Sequence, residues 1–339
     1  MSLEVYKGIV EYLRTERSGL LATIVKRIGS SPRGEGATMF LGEDGTTFGT
    51  IGGGSLEREV KIRSESVFME KKPDLFGYRL DAKSVEDEGM LCGGNVDVLI
   101  EPVLLGHLGI YEEAKKLLTE RKKGVFYVKL KPNYSKSLFT SDGRLVGDAL
   151  SEAERVLLEK NINAKKPIEV DISSFIIPLQ VRSQLYVFGA GHVSKYLVKI
   201  ASLVDFSVIV IDDSGEFAKK ENFPDAEAVY AVPFEESFDL LSFTGEEYVV
   251  IVTRGHKSDT LCLEEVLKRP FRYVGMIGSK RKVRAVFEYL RAKGYDEALL
   301  KRVHAPIGIE INSETPQEVA VSIVAELIKE RGEYFRNVR

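Results

Sequence analysis

Apolar positions along this chain recur at two different spacings, and the place where one gives way to the other divides it. Residues 4–17 (EVYKGIVEYLRTER) alternate apolar and charged positions at helical spacing, which predicts an amphipathic helix. GLLATIVKRIG, closing on Gly29, is rich in β-branched residues and predicts a strand. ATMFLGEDGTTFGTIGGG predicts a β-hairpin, with strands at 37–41 and 46–51 about a turn from Gly42 to Gly45. SLEREVKIRSESVFMEKK predicts a helix whose apolar members are Leu56, Val60, Ile62 and Val67, ended by Pro73. NVDVLIEPVL predicts another strand. From there to about residue 180 the pattern mixes helices and short strands with polar loops such as KPNYSK and TSDGR.

From Leu185 the register becomes a regular β–α alternation, with strands expected at 185–189, 207–212, 227–231, 248–253 and 272–277. Short β-branched runs separated by longer amphipathic ones indicate a parallel sheet covered on both faces. The expected fold class is α/β, with a mixed α/β domain over residues 1–180 and a doubly wound, Rossmann-like domain over 181–339. FIIPLQVRSQ, from Phe175 to Gln184, is the expected hinge. No internal repeat or low-complexity tract interrupts either part.

Composition narrows the function classes. A chain of 339 residues can build two ordinary domains, and 44% hydrophobic with 29% charged residues describes a soluble globular protein. A formal net charge of -3 gives no electrostatic ground for a nucleic-acid partner. No apolar run approaches the roughly 18 residues needed to cross a bilayer, and the charged N-terminus lacks a signal-peptide core, so no membrane association is expected. Two cysteines, Cys92 and Cys262, argue against a disulfide framework and for a reducing cytoplasm.

The stretch LYVFGAGHVSKYLVKI reads as a strand, a glycine turn and a helix, the opening of a dinucleotide-binding unit. Gly189 permits the tight turn, and Gly191 lets a phosphate approach the backbone at a helix N-terminus. Ser194 stands where the fingerprint has its third glycine and is small enough for close helix–strand packing. Asp212 ends the second strand, near the spacing at which an acid takes a ribose hydroxyl, and would favour NAD over NADP. The plainer alternative is that the two glycines only shape a turn and Asp212 only caps a strand. Of the four histidines, His107, His192, His256 and His304, two follow strands that are neighbours in the usual doubly wound order. His192 and His256 would therefore flank the switch point where ligands bind, and His304 opens a further loop that could reach it. Asp259 would orient His256 or cap the next helix.

The first half adds three signals. GTIGGGSLERE places Gly52, Gly53 and Gly54 before a helix, a second anion cradle or simply a sharp turn. GSSPRGEGA puts Arg33 in a loop, where its fork of donors suits a phosphate or carboxylate. LCGGNVDV sets Cys92 before two glycines, on an accessible turn, whereas Cys262 falls on the apolar face of TLCLEEVL and reads as core. No pair of carboxylates presents itself as a general acid–base couple.

These stretches in this order resemble the xanthine dehydrogenase accessory family, the XdhC/CoxI family. The resemblance rests on GSSPRGEGATMFLGEDGTTFGTIGGGSLE, LCGGNVDVLIEP, FGAGHVSKYLVKIASLVDFSVIVIDD, VTRGHKSDTLCLEEVL, YVGMIGSKRK and HAPIGIEINSETPQEVAVSIVAEL. It implies an N-terminal domain of the family's own type, a C-terminal Rossmann-like domain, and a maturation role. That role is binding molybdenum cofactor, assisting its sulfuration with a cysteine desulfurase, and passing it to a molybdenum hydroxylase apoenzyme. GTIGGGSLE is similar to the branch associated with selenium-dependent molybdenum hydroxylases. Many relatives carry cysteine where Ser55 stands, which leaves Cys92 as the candidate thiol for metal or sulfur. The phosphate of molybdopterin, or the pyrophosphate and ribose of its cytidine dinucleotide form, would lie against Gly189, Gly191 and Asp212, with His192 and His256 beside it. Arg33 and Gly52 to Gly54 would form a second anion site. The expectation is a non-catalytic cofactor chaperone, self-associated as a homodimer. Competing readings are an NAD(P)-dependent oxidoreductase on the same Gly189–Asp212 turn, and a pure interaction module.

Overall fold

The computed structural model describes residues 2–29, 31–80 and 94–337. The chain divides into two compact units, Met1–Val181 and Arg182–Arg339.

The first unit contains two five-stranded sheets. One is built from β1 (Gly19–Ile28), β2 (Thr38–Gly42), β3 (Thr47–Gly49), β4 (Asp74–Leu80) and β5 (Gly94–Val103), in the order β3-β2-β1-β5-β4 and antiparallel throughout. The other takes β6 (Gly124–Lys129), β7 (Ser135–Thr140), β8 (Leu145–Gly147), β9 (Ile168–Asp171) and β10 (Ser174–Pro178), in the order β8-β7-β6-β10-β9. Period-2 alternation sets which face each side chain covers. In β1, Leu21 and Val25 join a core shared with α1 (Ser2–Leu13) and α3 (Leu108–Thr119), whereas Leu20, Ala22 and Ile24 face α2 (Gly54–Glu70). Both faces are covered, so this antiparallel strand reads as one continuous apolar run. The outer face of the second sheet is closed by α4 (Glu152–Asn161) through Leu158.

Two expectations are corrected here. α2 buries Leu56, Val60, Ser64 and Val67, and leaves Ile62 exposed. Steps of four, four and three residues make one stripe, and Ile62 lies about 200° around from Val60. The helix stops before Pro73, with Lys71 in the left-handed conformation (φ 52°). The 175–184 segment is mostly not a hinge: Phe175, Ile176 and Ile177 are buried in β10, and β11 already begins at Ser183.

The second unit is one six-stranded parallel sheet ordered β13-β12-β11-β14-β15-β16. Its strands are β11 (Ser183–Phe188), β12 (Phe206–Asp212), β13 (Ala228–Ala231), β14 (Tyr248–Ile251), β15 (Tyr273–Met276) and β16 (Val303–His304). Two-residue β16 has too little apolar pattern to announce itself. In β11, Leu185 and Val187 pack under α5 (His192–Leu203) and α10 (Pro316–Asn337). Tyr186 and Phe188 point the other way, under α6 (Phe234–Ser237), α7 (His256–Leu267) and α8 (Lys280–Ala292), with the short α9 (Glu297–Leu300) beyond. α10 buries Ala320, Ile323, Val324 and Leu327. Its three larger side chains contribute roughly 5–9 kcal/mol of apolar burial at ~1.5–3 kcal/mol each. Among the described residues, no helix is long and apolar enough to cross a membrane.

Candidate functional site

At the carboxyl edge of this sheet the chain leaves β11 through Gly189, where φ is +113° and an added Cβ would stand 2.4 Å from the carbonyl oxygen of Val252. Glycine is required there on both counts. Its N–H donates to the Ile211 carbonyl at 2.7 Å, and the Ala190 N–H donates to Asp212 Oδ2 at 2.7 Å, so the turn is tied to β12 twice. Ser194, fully buried, donates its hydroxyl to the Gly189 carbonyl at 2.5 Å. A serine at this place in the fingerprint therefore locks the turn as well as fitting under it.

Gly191 differs in kind. It is the N-cap of α5 with extended backbone (φ −79°, ψ −170°), no side chain accepts from the helix end, and an added Cβ would meet nothing within 4 Å. Gly255 is likewise the N-cap of α7 without a side-chain cap. β11 and β14 are adjacent and parallel, so two glycine-led helix ends open at the same sheet edge, at the topological switch point, from opposite faces of the sheet. Each presents first-turn amides that no side chain caps, the arrangement that holds anions. His192 and His256 are the first residues of these two helices, and both are exposed. His304 is not brought to them: it ends β16, where its Nδ1 lies 2.8 Å from Glu326 and its ring 4.6 Å from that of Tyr273. The hydrogen bond to the Glu326 carboxylate raises its pKa.

Asp212 is buried, and its carboxylate is occupied. Oδ2 accepts from Ala190, and Oδ1 accepts from the Ser214 N–H at 2.9 Å and from Arg254 Nη2 at 3.0 Å. Asp213 is half exposed, accepts from the same guanidinium at 3.1 Å, and is the carboxylate a solvent-side ligand would meet first. Arg254 lies 4.5 Å over the Phe217 ring, which orients it across the end of β12. Asp213 and Arg254 are the participants that sequence reasoning passed over, although the doublet VIVIDD and the arginine before GH in VTRGH were both visible. Asp259 is fully buried; it accepts from the Thr253 N–H (3.1 Å) and hydroxyl (2.6 Å) and pairs with Lys282, so it fastens the loop before α7. Cys262 is buried, and that burial pushes its thiol pKa well up.

In the first unit the loop of Arg33 packs against the three-glycine turn: a Cβ on Gly52 would lie 3.0 Å from Pro32 and 3.7 Å from Arg33 Cγ. Gly52, Gly53 and Gly54 all have positive φ, at 130°, 77° and 58°. Much of the turn's donor capacity is already used. Glu57 Oε1 accepts from the Thr50 hydroxyl (2.5 Å), the Ile51 N–H (3.2 Å) and the Gly53 N–H (2.9 Å), and the Gly52 N–H donates to Thr50 Oγ1 (3.0 Å). Glu57 is a further residue the sequence reading missed; its place four residues after Gly53 is the signal. Ser55 is the second residue of α2, in the first turn beyond the glycines. Cys92 lies outside the described residues. Among the described residues, no group of three or more His, Cys, Asp and Glu side chains is placed to hold a metal ion.

A parallel sheet entered by a glycine turn at its switch point places the second unit in the Rossmann-like fold class. Two family models match the chain, the XdhC Rossmann domain over residues 185–327 and the XdhC and CoxI family over residues 12–79, together more than half of it. The chain belongs to the XdhC and CoxI family. It is 27% identical over 310 residues to the uncharacterized protein YqeB of Escherichia coli (strain K12), a match covering 91% of this chain and 43% of YqeB, so it spans less than half of that relative. It is 24% identical over 327 residues to a probable xanthine dehydrogenase subunit of Bacillus subtilis (strain 168), covering 94% and 95% of the two chains. A crystal structure described as a xanthine dehydrogenase from Bacillus halodurans superposes with a TM-score of 0.77 at 28% identity, covering 96% of each chain.

Proposed function

We propose that this protein is an accessory factor for a molybdenum hydroxylase of the xanthine dehydrogenase type, and that its second unit holds the phosphorylated part of molybdenum cofactor as cargo. One observation carries the reading: the paired, uncapped, glycine-led ends of α5 and α7 at the switch point. The open space over Gly191 fits a phosphate approaching the backbone closely, and the exposed imidazoles of His192 and His256 flank it. Asp213, steadied by Arg254, is the acceptor for a ribose if the cargo is the cytidine dinucleotide form. The residues at the turn suit holding and orienting an anion, and none of them is arranged as an acid–base couple. Sulfuration with a cysteine desulfurase, transfer to the hydroxylase and self-association as a homodimer complete the proposal. Relatives named for xanthine dehydrogenase support it.

The test is to produce the full chain anaerobically alongside cofactor-making machinery and measure pterin and molybdenum on the purified protein. The wild type is expected to retain cofactor, and Gly191→Asp, which puts a negative charge where the phosphate would sit, is expected to lose it. Absence of pterin from the wild-type protein under these conditions refutes the reading. The NAD(P)-dependent oxidoreductase reading draws on one feature, the half-exposed Asp213 at the end of β12. Calorimetric titration with NADH decides it: tight binding with turnover of a small substrate would replace the chaperone reading.

A further inference from the structure

Alternate residues of β11 face opposite layers, so α5 and its glycine turn cover one face of the sheet while α7 and α8 cover the other. Between α7 and α8 runs a groove of about 1110 Å³. A cavity of this volume accommodates a ligand of nucleotide size. Its walls change character along its length. Leu261, Ala285 and Val286 supply apolar surface, and the Tyr289 ring stands beside them, 44% exposed. One end is lined by His256 and Lys257 from the first turn of α7 and by Arg281 from the first turn of α8.

The ionic pairing along this groove leaves a surplus at that end. Lys282 is matched by Asp259, Lys293 by Glu264 and Lys268 by Glu265. Among the described residues, Lys257 and Arg281 have no carboxylate partner, and Glu235 is the one lining carboxylate without a cation. The first acid of α7, Asp259, is turned to Thr253 and Lys282, so it does not cap the helix end. Two unmatched cations, Lys257 and Arg281, thus stand at one end of a groove whose middle is apolar and flanked by a phenol ring.

We propose that the α7–α8 groove is a second ligand site, on the sheet face opposite the glycine turn, for a nucleoside phosphate. Its phosphates lie against Lys257 and Arg281, and its base lies on Leu261 and Val286 beside Tyr289. The inference goes beyond the cargo reading and does not require it.

The test uses the full chain carrying Gly191→Asp, which blocks the glycine turn and is tolerated because an added side chain there meets open space. Titration of this protein with ATP by calorimetry is expected to show one binding event. Arg281→Glu in the same background is expected to weaken it roughly tenfold or more, and Ala285→Trp, filling the groove from an exposed position, to abolish it. Inorganic pyrophosphate is expected to compete at least tenfold more weakly than ATP. Unchanged thermal midpoints show that the variants fold. No ATP binding in the Gly191→Asp protein, ATP binding untouched by Arg281→Glu, or pyrophosphate competing as well as ATP each overturns the proposal. None of these results bears on whether Gly191→Asp loses the cofactor.

Discussion

Asp212→Asn separates a residue that holds the fold from one that holds a ligand. Its carboxylate is 1% exposed and receives the Ala190 N–H, the Ser214 N–H and Arg254. An asparagine has one acceptor oxygen, so however its amide turns, an NH2 faces a donor. If the oxygen stays with Ser214 and Arg254, the buried Ala190 N–H is orphaned, which costs about 1–3 kcal/mol. The two surviving bonds fall from charge-assisted to neutral strength, a further loss of about 1 kcal/mol. The total is about 3 kcal/mol, and a unit of this size loses ~2–4 °C of melting temperature per kcal/mol, hence about 6–12 °C. Thermal unfolding followed by circular dichroism measures this. Hydrogen exchange at Ala190 reads the orphaned amide directly, and its protection should fall by roughly a hundredfold. Asp213→Asn, at a half-exposed site, should change stability by less than about 0.5 kcal/mol. Asp212→Asn unfolding within 1 kcal/mol of wild type, with Ala190 still protected, would refute this account and return Asp212 to the ligand.

Gly189→Ala should destabilise the chain severely, by ~3 kcal/mol or more, because its Cβ would overlap the Val252 carbonyl at positive φ, whereas Gly191→Ala should unfold like the wild type. Denaturant titration compares the two. Lys136 and Glu101 form a fully buried ion pair at 3.0 Å, with the Tyr111 hydroxyl 3.1 Å from the ammonium and the Tyr134 hydroxyl donating to Glu101 at 3.2 Å. Lys136→Met alone should cost about 3–5 kcal/mol by stranding the carboxylate. Adding Glu101→Gln, which keeps an acceptor for Tyr134, should recover most of that loss in urea unfolding. His107 is held at a pKa of about 4 by burial and by the charge of Lys136, and its Nδ1 accepts from the Leu104 N–H at 3.3 Å. Its folded pKa lies below the ordinary 6.5, so the unfolded chain takes up the proton first. Stability should be full above about pH 6.5 and fall toward pH 4, by up to ~1.4 kcal/mol per pH unit. Acid titration of His107→Gln should lack that part of the slope.

Much of this architecture was legible because both faces of the central strands are apolar and glycines mark the turns. The β–α alternation after Leu185 and the hairpin at 38–49 follow from period and punctuation alone. Ile62 misled because a helix with a short apolar stripe tolerates an exposed isoleucine, and residue type does not reveal which side of the stripe it occupies. The hinge expected at 175–184 was drawn too wide: the boundary between the units falls inside it, at Val181 and Arg182, but proline at 178 ends a strand as readily as it marks a linker. At the candidate site, Gly189, Gly191, His192 and His256 were found through strand-end position, which topology converts directly into proximity. What spacing could not reveal is satisfaction. Whether Asp212 faces a ligand or its own turn, and whether Gly53 offers an amide or has given it to Glu57, depends on hydrogen bonds a few ångströms long. Those are decided only once the backbone is closed.

Helix α10, about 120 residues further along the chain than the glycine turn, seals the layer that covers it. α10 presses Ala320, Ile323, Val324 and Leu327 onto the layer containing Leu197 and Ala201, and Arg331 reaches back to donate to the Val204 carbonyl at 2.8 Å. During synthesis, therefore, the turn at Gly191 is written early, but the layer behind it closes only once α10 has emerged from the ribosome. Deleting α10 should loosen α5 and the glycine turn it carries, although the two lie far apart along the chain.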